Sequence, residues 1–157
     1  MPNASMIPSN PSLPLGTHPI PAEGMIESAD EFYELRTSDD PAEYDRAARD
    51  EAPLSVWVDV IDRMPDMRKW VAYNKTVPLE ILERLACDTD RDVREMVARK
   101  RKLPERLQQL FAKDSDPGVR VALGSNANAA PAVIDVLLQD PDDWVRERVA
   151  ERGRKTS

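Results

Sequence analysis

The stretch Leu82-Glu83-Arg84-Leu85-Ala86-Cys87-Asp88-Thr89-Asp90-Arg91-Asp92-Val93-Arg94-Glu95-Met96-Val97-Ala98-Arg99-Lys100-Arg101-Lys102-Leu103-Pro104 decides the fold of this 157-residue chain. Val93, Met96 and Val97 fall at i, i+3 and i+4, one face of a helix, and Leu82, Leu85 and Ala86 form a second such face just upstream. Between them, Asp88-Thr89-Asp90 supplies short carboxylates that cap a helix start and place negative charge at its positive end. Two short helices joined by a capped turn therefore occupy one unit.

That unit recurs every 26 residues. Arg68, Arg94, Arg120 and Arg146 share the step, as do Val71, Val97, Leu123 and Val149. So do the small residues Ala72, Ala98, Gly124 and Ala150, which let neighbouring helices approach closely. Asp88, Asp114 and Asp140 form a further column, and Asp90, Asp116 and Asp142 another. Ile81, Leu107 and Val133, with Leu85, Phe111 and Leu137, supply the second helix. Pro78 and Pro104 repeat at its start, a position where proline's missing N–H has no intrahelical partner; Pro131 comes one residue late. Repeats of this length signal a solenoid in which each unit buries its apolar face against the next. No alternating Val/Ile/Thr run is long enough for a strand, so the expected class is all-α. The column Trp70, Met96, Ala122 becomes Arg148 in the last unit, as a capping repeat requires. Pro53 to Asp66 reads as half a repeat, and Phe32 to Tyr44 as a degenerate first unit.

Six of the 14 prolines lie in the first 24 residues, among Ser, Asn, Gly and Thr. Residues 1–28 are expected to be a disordered Pro-rich arm, ahead of a helical-repeat solenoid over 29–157 whose degenerate and partial units span 29–66 and whose regular ones span 67–157. Charge divides along the same lines. Residues 1–66 hold 14 acidic and 4 basic side chains (net −10) and the remainder 15 and 18 (net +3), giving −7 for the chain. A protein built to follow nucleic-acid phosphates would be basic across its folded part. No run approaches a membrane span and no basic, apolar leader opens the chain, so a cytoplasmic protein without a membrane partner is expected.

The pattern Leu-x-x-Leu-Ala-x-Asp-x-Asp-x-x-Val-Arg-x-x-Val-Ala, read from Leu82 to Ala98 and followed by Pro104, resembles the variant leucine-rich repeat, a relative of HEAT-like helical repeats. The resemblance covers roughly residues 53–157. It implies a right-handed superhelix and a binding role rather than a reaction. The iron–sulfur cluster associated with that repeat needs a cysteine cluster, and Cys87 is the sole cysteine, so no cofactor is expected.

Catalytic chemistry is equally thin. His18 is the single histidine and lies in the arm; the carboxylate pairs Asp39-Asp40 and Asp142-Asp143 read as turn caps; no phosphate loop or metal spacing is present. The chain is not expected to be an enzyme. Cys87, at a helix end, reads as small and partly buried. The arginine column is expected to pair with the Asp columns and tie units together. That leaves Trp144, set in a turn-like column, and the basic run Arg99-Lys100-Arg101-Lys102 as candidate partner-binding residues. The leading expectation is a non-enzymatic protein–protein interaction module, in one version an acidic inhibitor or immunity-type binder of a basic nuclease. The alternative is a HEAT-like nucleic-acid-binding protein that uses residues 99–102. The oligomeric state stays open.

Overall fold

The computed structural model describes residues 24–155, so the expectation for most of the Pro-rich arm, residues 1–23, and His18 with it, lies outside the described residues. Over the described residues the protein is all-α, in keeping with the helical periodicity. Helices α1 (Ala29–Thr37), α2 (Pro41–Arg49) and α3 (Leu54–Arg63) lead to a 3₁₀ turn, Pro65–Met67. Then come α4 (Arg68–Tyr73), α5 (Leu79–Leu85), α6 (Arg91–Ala98), α7 (Glu105–Phe111), α8 (Pro117–Gly124), α9 (Pro131–Leu137) and α10 (Asp143–Lys155).

Helices α4, α6, α8 and α10 form the spine. α6 packs between α4 and α8, and α10 packs on α8, while α5, α7 and α9 lie beside the spine helices that flank them. The columns explain the contact. Val71, Val97 and Leu123 are fully buried, Val149 nearly so, and Ile81, Leu85, Leu107, Phe111, Val133 and Leu137 close the other side. Each such side chain contributes about 1.5–3 kcal/mol on burial. Ala72 and Ala98 are fully buried, and a Cβ at Gly124 would collide with Val149 Cγ2 on α10, so the small column sets the distance between spine helices. Arg148, by contrast, is exposed and pairs with Glu151 on its own helix.

Each aspartate of the Asp-x-Asp steps has its own task. The second caps the helix: Asp90, Asp116 and Asp142 accept the backbone N–H of Asp92, Gly118 and Trp144. The first holds the turn: Asp88, Asp114 and Asp140 accept the N–H of Asp90, Asp116 and Asp142. Pro78 and Pro104 stand at the N-cap of α5 and α7, outside the first helical turn, whereas Pro131, the proline that comes one residue late, sits inside α9.

Two expectations need correction. The arm expected over residues 1–28 includes Gly24–Ser28, yet that stretch is held in place. Ile26 N–H donates to Glu51 O at 2.7 Å and Glu51 N–H to Gly24 O at 2.9 Å, and the Ile26 side chain is fully buried. One apolar residue with two backbone bonds outweighs the local composition. Cys87 is exposed rather than partly buried, because the chain turns outward after Ala86.

Candidate functional site

The arginine column is used internally. Arg94 places Nε and Nη2 on the two carboxylate oxygens of Asp114 at 2.8 and 3.1 Å, and its Nη1 on Asp88 O at 2.9 Å. One unit later Arg120 repeats the geometry on Asp140 (2.8 and 3.0 Å) and Asp114 O (2.7 Å). Arg68 reaches Asp88 at 3.5 Å. Arg146 bonds Asp140 O and turns to Asp143 for its carboxylate. Burial alone would raise the Asp114 carboxyl, but the Arg94 hydrogen bonds, the Asp116 N–H and the charges of Arg94 and Arg120 outweigh it and hold it below the ordinary carboxylate range. These fork-shaped pairs, with the arginines mostly buried, consume the charge that a phosphate-gripping ladder would need.

A second polar column was not visible in the sequence. Asn74 donates to Ala47 O and Asp50 O at the end of α2 (both 3.0 Å), and Asn126 to Ala98 O (2.9 Å) and Lys100 O (2.8 Å) at the end of α6. At the corresponding positions Lys100 Nζ donates to Asn74 O, and Arg152 to Gly124 O (3.0 Å) and Ala127 O (3.1 Å). Asn, Lys, Asn and Arg share no shape or charge. They share only an N–H long enough to reach the carbonyls left unpaired where the helix one unit earlier ends. The 26-residue step from 74 to 152 was the available signal, and the change of residue type concealed it.

That column changes how the run Arg99 to Lys102 is read. Lys100 is partly withdrawn from the surface, and burial lowers its amine to about 8. Arg99 is exposed and paired with Glu95 at 2.5 Å. Arg101 and Lys102 are exposed and, among the described residues, have no carboxylate partner; the same holds for Lys75, which faces them across the gap between units.

These side chains border a groove of about 870 Å³, larger than the hollows of about 570, 540 and 380 Å³ beside α10. The end of α4 supplies Tyr73, the loop after it Lys75 and Val77, α5 supplies Leu79 and Leu82, and α6 supplies Met96. Tyr73 and Leu79 are 44% and 40% exposed, so the floor is an apolar surface open to solvent rather than a core gap. Lys100, which also lines the groove, ties its side to the end of α4 by donating to Asn74 O.

Trp144 is 48% exposed at the start of α10 and does not line this groove, so the structure brings together residues 99–102 but leaves Trp144 separate. No group of three His, Cys, Asp or Glu side chains among the described residues is placed to hold a metal ion, and no helix among them is long and apolar enough to cross a membrane. No family model, no curated protein and no solved structure matches this chain.

Proposed function

We propose that this protein is a non-enzymatic protein-interaction module: a right-handed α-solenoid of 26-residue units, similar to variant leucine-rich repeats, that holds its partner at the groove between the units of α4–α5 and α6–α7. The observation that carries this reading is the pairing of an open apolar floor (Tyr73, Leu79, Met96) with cations at its rim that have no internal carboxylate (Lys75, Arg101, Lys102). Many arginines elsewhere are matched to an acid, among them Arg46 to Asp50, Arg63 to Asp59, Arg84 to Asp62 and Arg106 to Glu83, while cations such as Lys69, Lys113 and Arg154 are not, among the described residues. What marks this site is that three cations without a carboxylate partner meet beside one apolar opening. An unmatched cluster beside exposed apolar surface is the composition of an interface, with a desolvated centre and a polar rim.

Nucleic acid fits this site less well. The floor is apolar, and the corresponding stretch one unit on, Ser125-Asn126-Ala127-Asn128, carries no cation, so the basic footprint does not continue as a phosphate track requires. An inhibitor of a basic nuclease, expected from net charge, would use the acidic surface of residues 24–66 instead of the groove.

Site-specific photo-cross-linking in the native host separates these readings. A benzophenone amino acid at Tyr73 or Leu79 is expected to yield protein adducts that survive nuclease treatment. The same group at Leu110 or Val136, both exposed on α7 and α9, is expected to yield none. Adducts only at Tyr33 or Tyr44 in the acidic part would move the interface there; nuclease-sensitive adducts at Tyr73 would overturn the protein-binding reading.

A further inference from the structure

Resting on the protein-binding reading, we infer the chemistry of the partner: the groove takes an acidic segment of another protein that carries bulky apolar side chains among its carboxylates. Two properties of the site require both halves of that description.

The first is charge. Lys75, Arg101 and Lys102 converge on one rim in a chain of net charge −7, and their ion-pair partners are absent among the described residues although acids are abundant. Arg99 keeps Glu95 and does not need the partner. Lys100 is partly buried and anchored on Asn74 O, so its cation is held inward by the chain itself and is not one of the three at the rim. The rim thus presents three cations spaced around an opening, which glutamates or aspartates of an incoming segment neutralise. Exposed pairs of this kind give modest affinity and strong discrimination, because a basic segment is repelled at the same contacts.

The second is the floor. Tyr73 and Leu79 stand nearly half exposed beside Met96, and Val77 and Leu82 are buried beneath them. Carboxylates alone would leave this surface wet. Leucine, phenylalanine or methionine side chains of the incoming segment cover it, and methionine and tyrosine adapt to differing apolar shapes. A polyanion without apolar groups, such as a nucleic-acid backbone, satisfies the rim and forfeits the floor.

The test is fluorescence polarisation of the full chain with a short fluorescein-labelled peptide that alternates glutamate with leucine and phenylalanine. Saturable binding is expected, with losses of about tenfold or more from each of three changes. These are glutamine for glutamate in the peptide, serine for its leucine and phenylalanine, and the protein variant R101E/K102E. Arg101 and Lys102 are exposed and their side chains hold no internal partner, so that variant retains its helical circular dichroism. Leu79→Ser, at a half-exposed position, tests the floor without touching charge. The proposal is overturned if the glutamine peptide binds as well as the glutamate one, if the serine peptide does, or if single-stranded oligothymidylate of equal length binds as tightly and also fails on R101E/K102E. Absence of peptide binding alongside protein adducts at Tyr73 refutes the acidic–apolar chemistry and leaves the interaction reading standing. Absence of both removes the two together.

Discussion

Asp140→Ala tests whether the internal Arg–Asp ladder holds the units together. The Asp140 carboxylate takes two bonds from Arg120 (2.8 and 3.0 Å) and one from the Asp142 N–H (2.9 Å). The two side chains are 4% and 12% exposed. Alanine leaves the Arg120 guanidinium almost buried, with only Asp114 O to receive it. Breaking one side of such a pair costs about 3–5 kcal/mol, chiefly for the uncompensated charge. The lost turn bond is about 1 kcal/mol of that. Set against a domain stability of about 5–15 kcal/mol, this is a large fraction. In a urea titration followed by circular dichroism at 222 nm, with a slope of about 2 kcal/mol/M, the midpoint is expected to fall by about 2 M. Two companions make the result diagnostic. Asp143→Ala, at the 82% exposed partner of Arg146, is expected to cost no more than about 1 kcal/mol. R120M/D140L replaces both charges by apolar groups and loses only the accessory bonds to Asp114 O and Asp142 N–H, about 2 kcal/mol in all. A midpoint for Asp140→Ala within about 0.5 M of the wild type, or a double variant less stable than the single one, would refute the reasoning.

Three further outcomes follow from particular contacts. With its amine at about 8 against an ordinary 10.5, Lys100 binds its proton less tightly in the folded chain than in the unfolded one. Stability therefore rises with pH from about 8 to 10.5 and is lower by a constant amount below 8; Lys100→Met is expected to remove that rise and, net of the lost bond to Asn74 O, to gain about 2 kcal/mol at pH 7. Urea midpoints measured from pH 7 to 10.5 check both, and an unchanged rise in the variant refutes the assignment. Gly124→Ala would gain helix propensity on an open surface, but here the new Cβ meets Val149 Cγ2, so the melting temperature is expected to fall, by about 1–3 kcal/mol in stability. Asn74→Ala leaves Ala47 O and the Thr76 N–H short of a partner at a fully buried site, with Asp50 O keeping only the Thr76 hydroxyl, and is expected to cost about 2–3 kcal/mol in the same urea assay, against a negligible change for Lys113→Ala on the exposed surface.

The all-α class, the small column and the apolar faces were legible because burial itself is periodic: a residue that faces its neighbour in one unit faces it in the next, and hydrophobicity records that directly. Pairing of the arginine column with aspartates was legible for a related reason, since both columns keep their residue type at every step. Division of labour between Asp88-type and Asp90-type residues was not, because both carboxylates are local acceptors and only the path of the turn decides which one an arginine from the preceding unit can reach. Lys100 shows the limit most clearly. Among Arg99, Arg101 and Lys102 it reads as one more surface charge, and its place in the Asn74–Asn126–Arg152 column depends on a carbonyl 26 residues away that must lie within reach of its amine.

By itself, then, the chain of residue types determined where helices begin, which faces they bury and that acids and arginines recur in step. Only the tertiary structure decided that the Arg94 and Arg120 charges are consumed internally while Lys75, Arg101 and Lys102 meet at one rim, and that Tyr73 and Leu79 lie exposed beside them with Met96. Hydrophobic burial is non-directional and leaves its trace in spacing. A hydrogen bond or ion pair across 20 to 28 residues is directional and short-ranged, so it exists only once the helices have been laid beside one another.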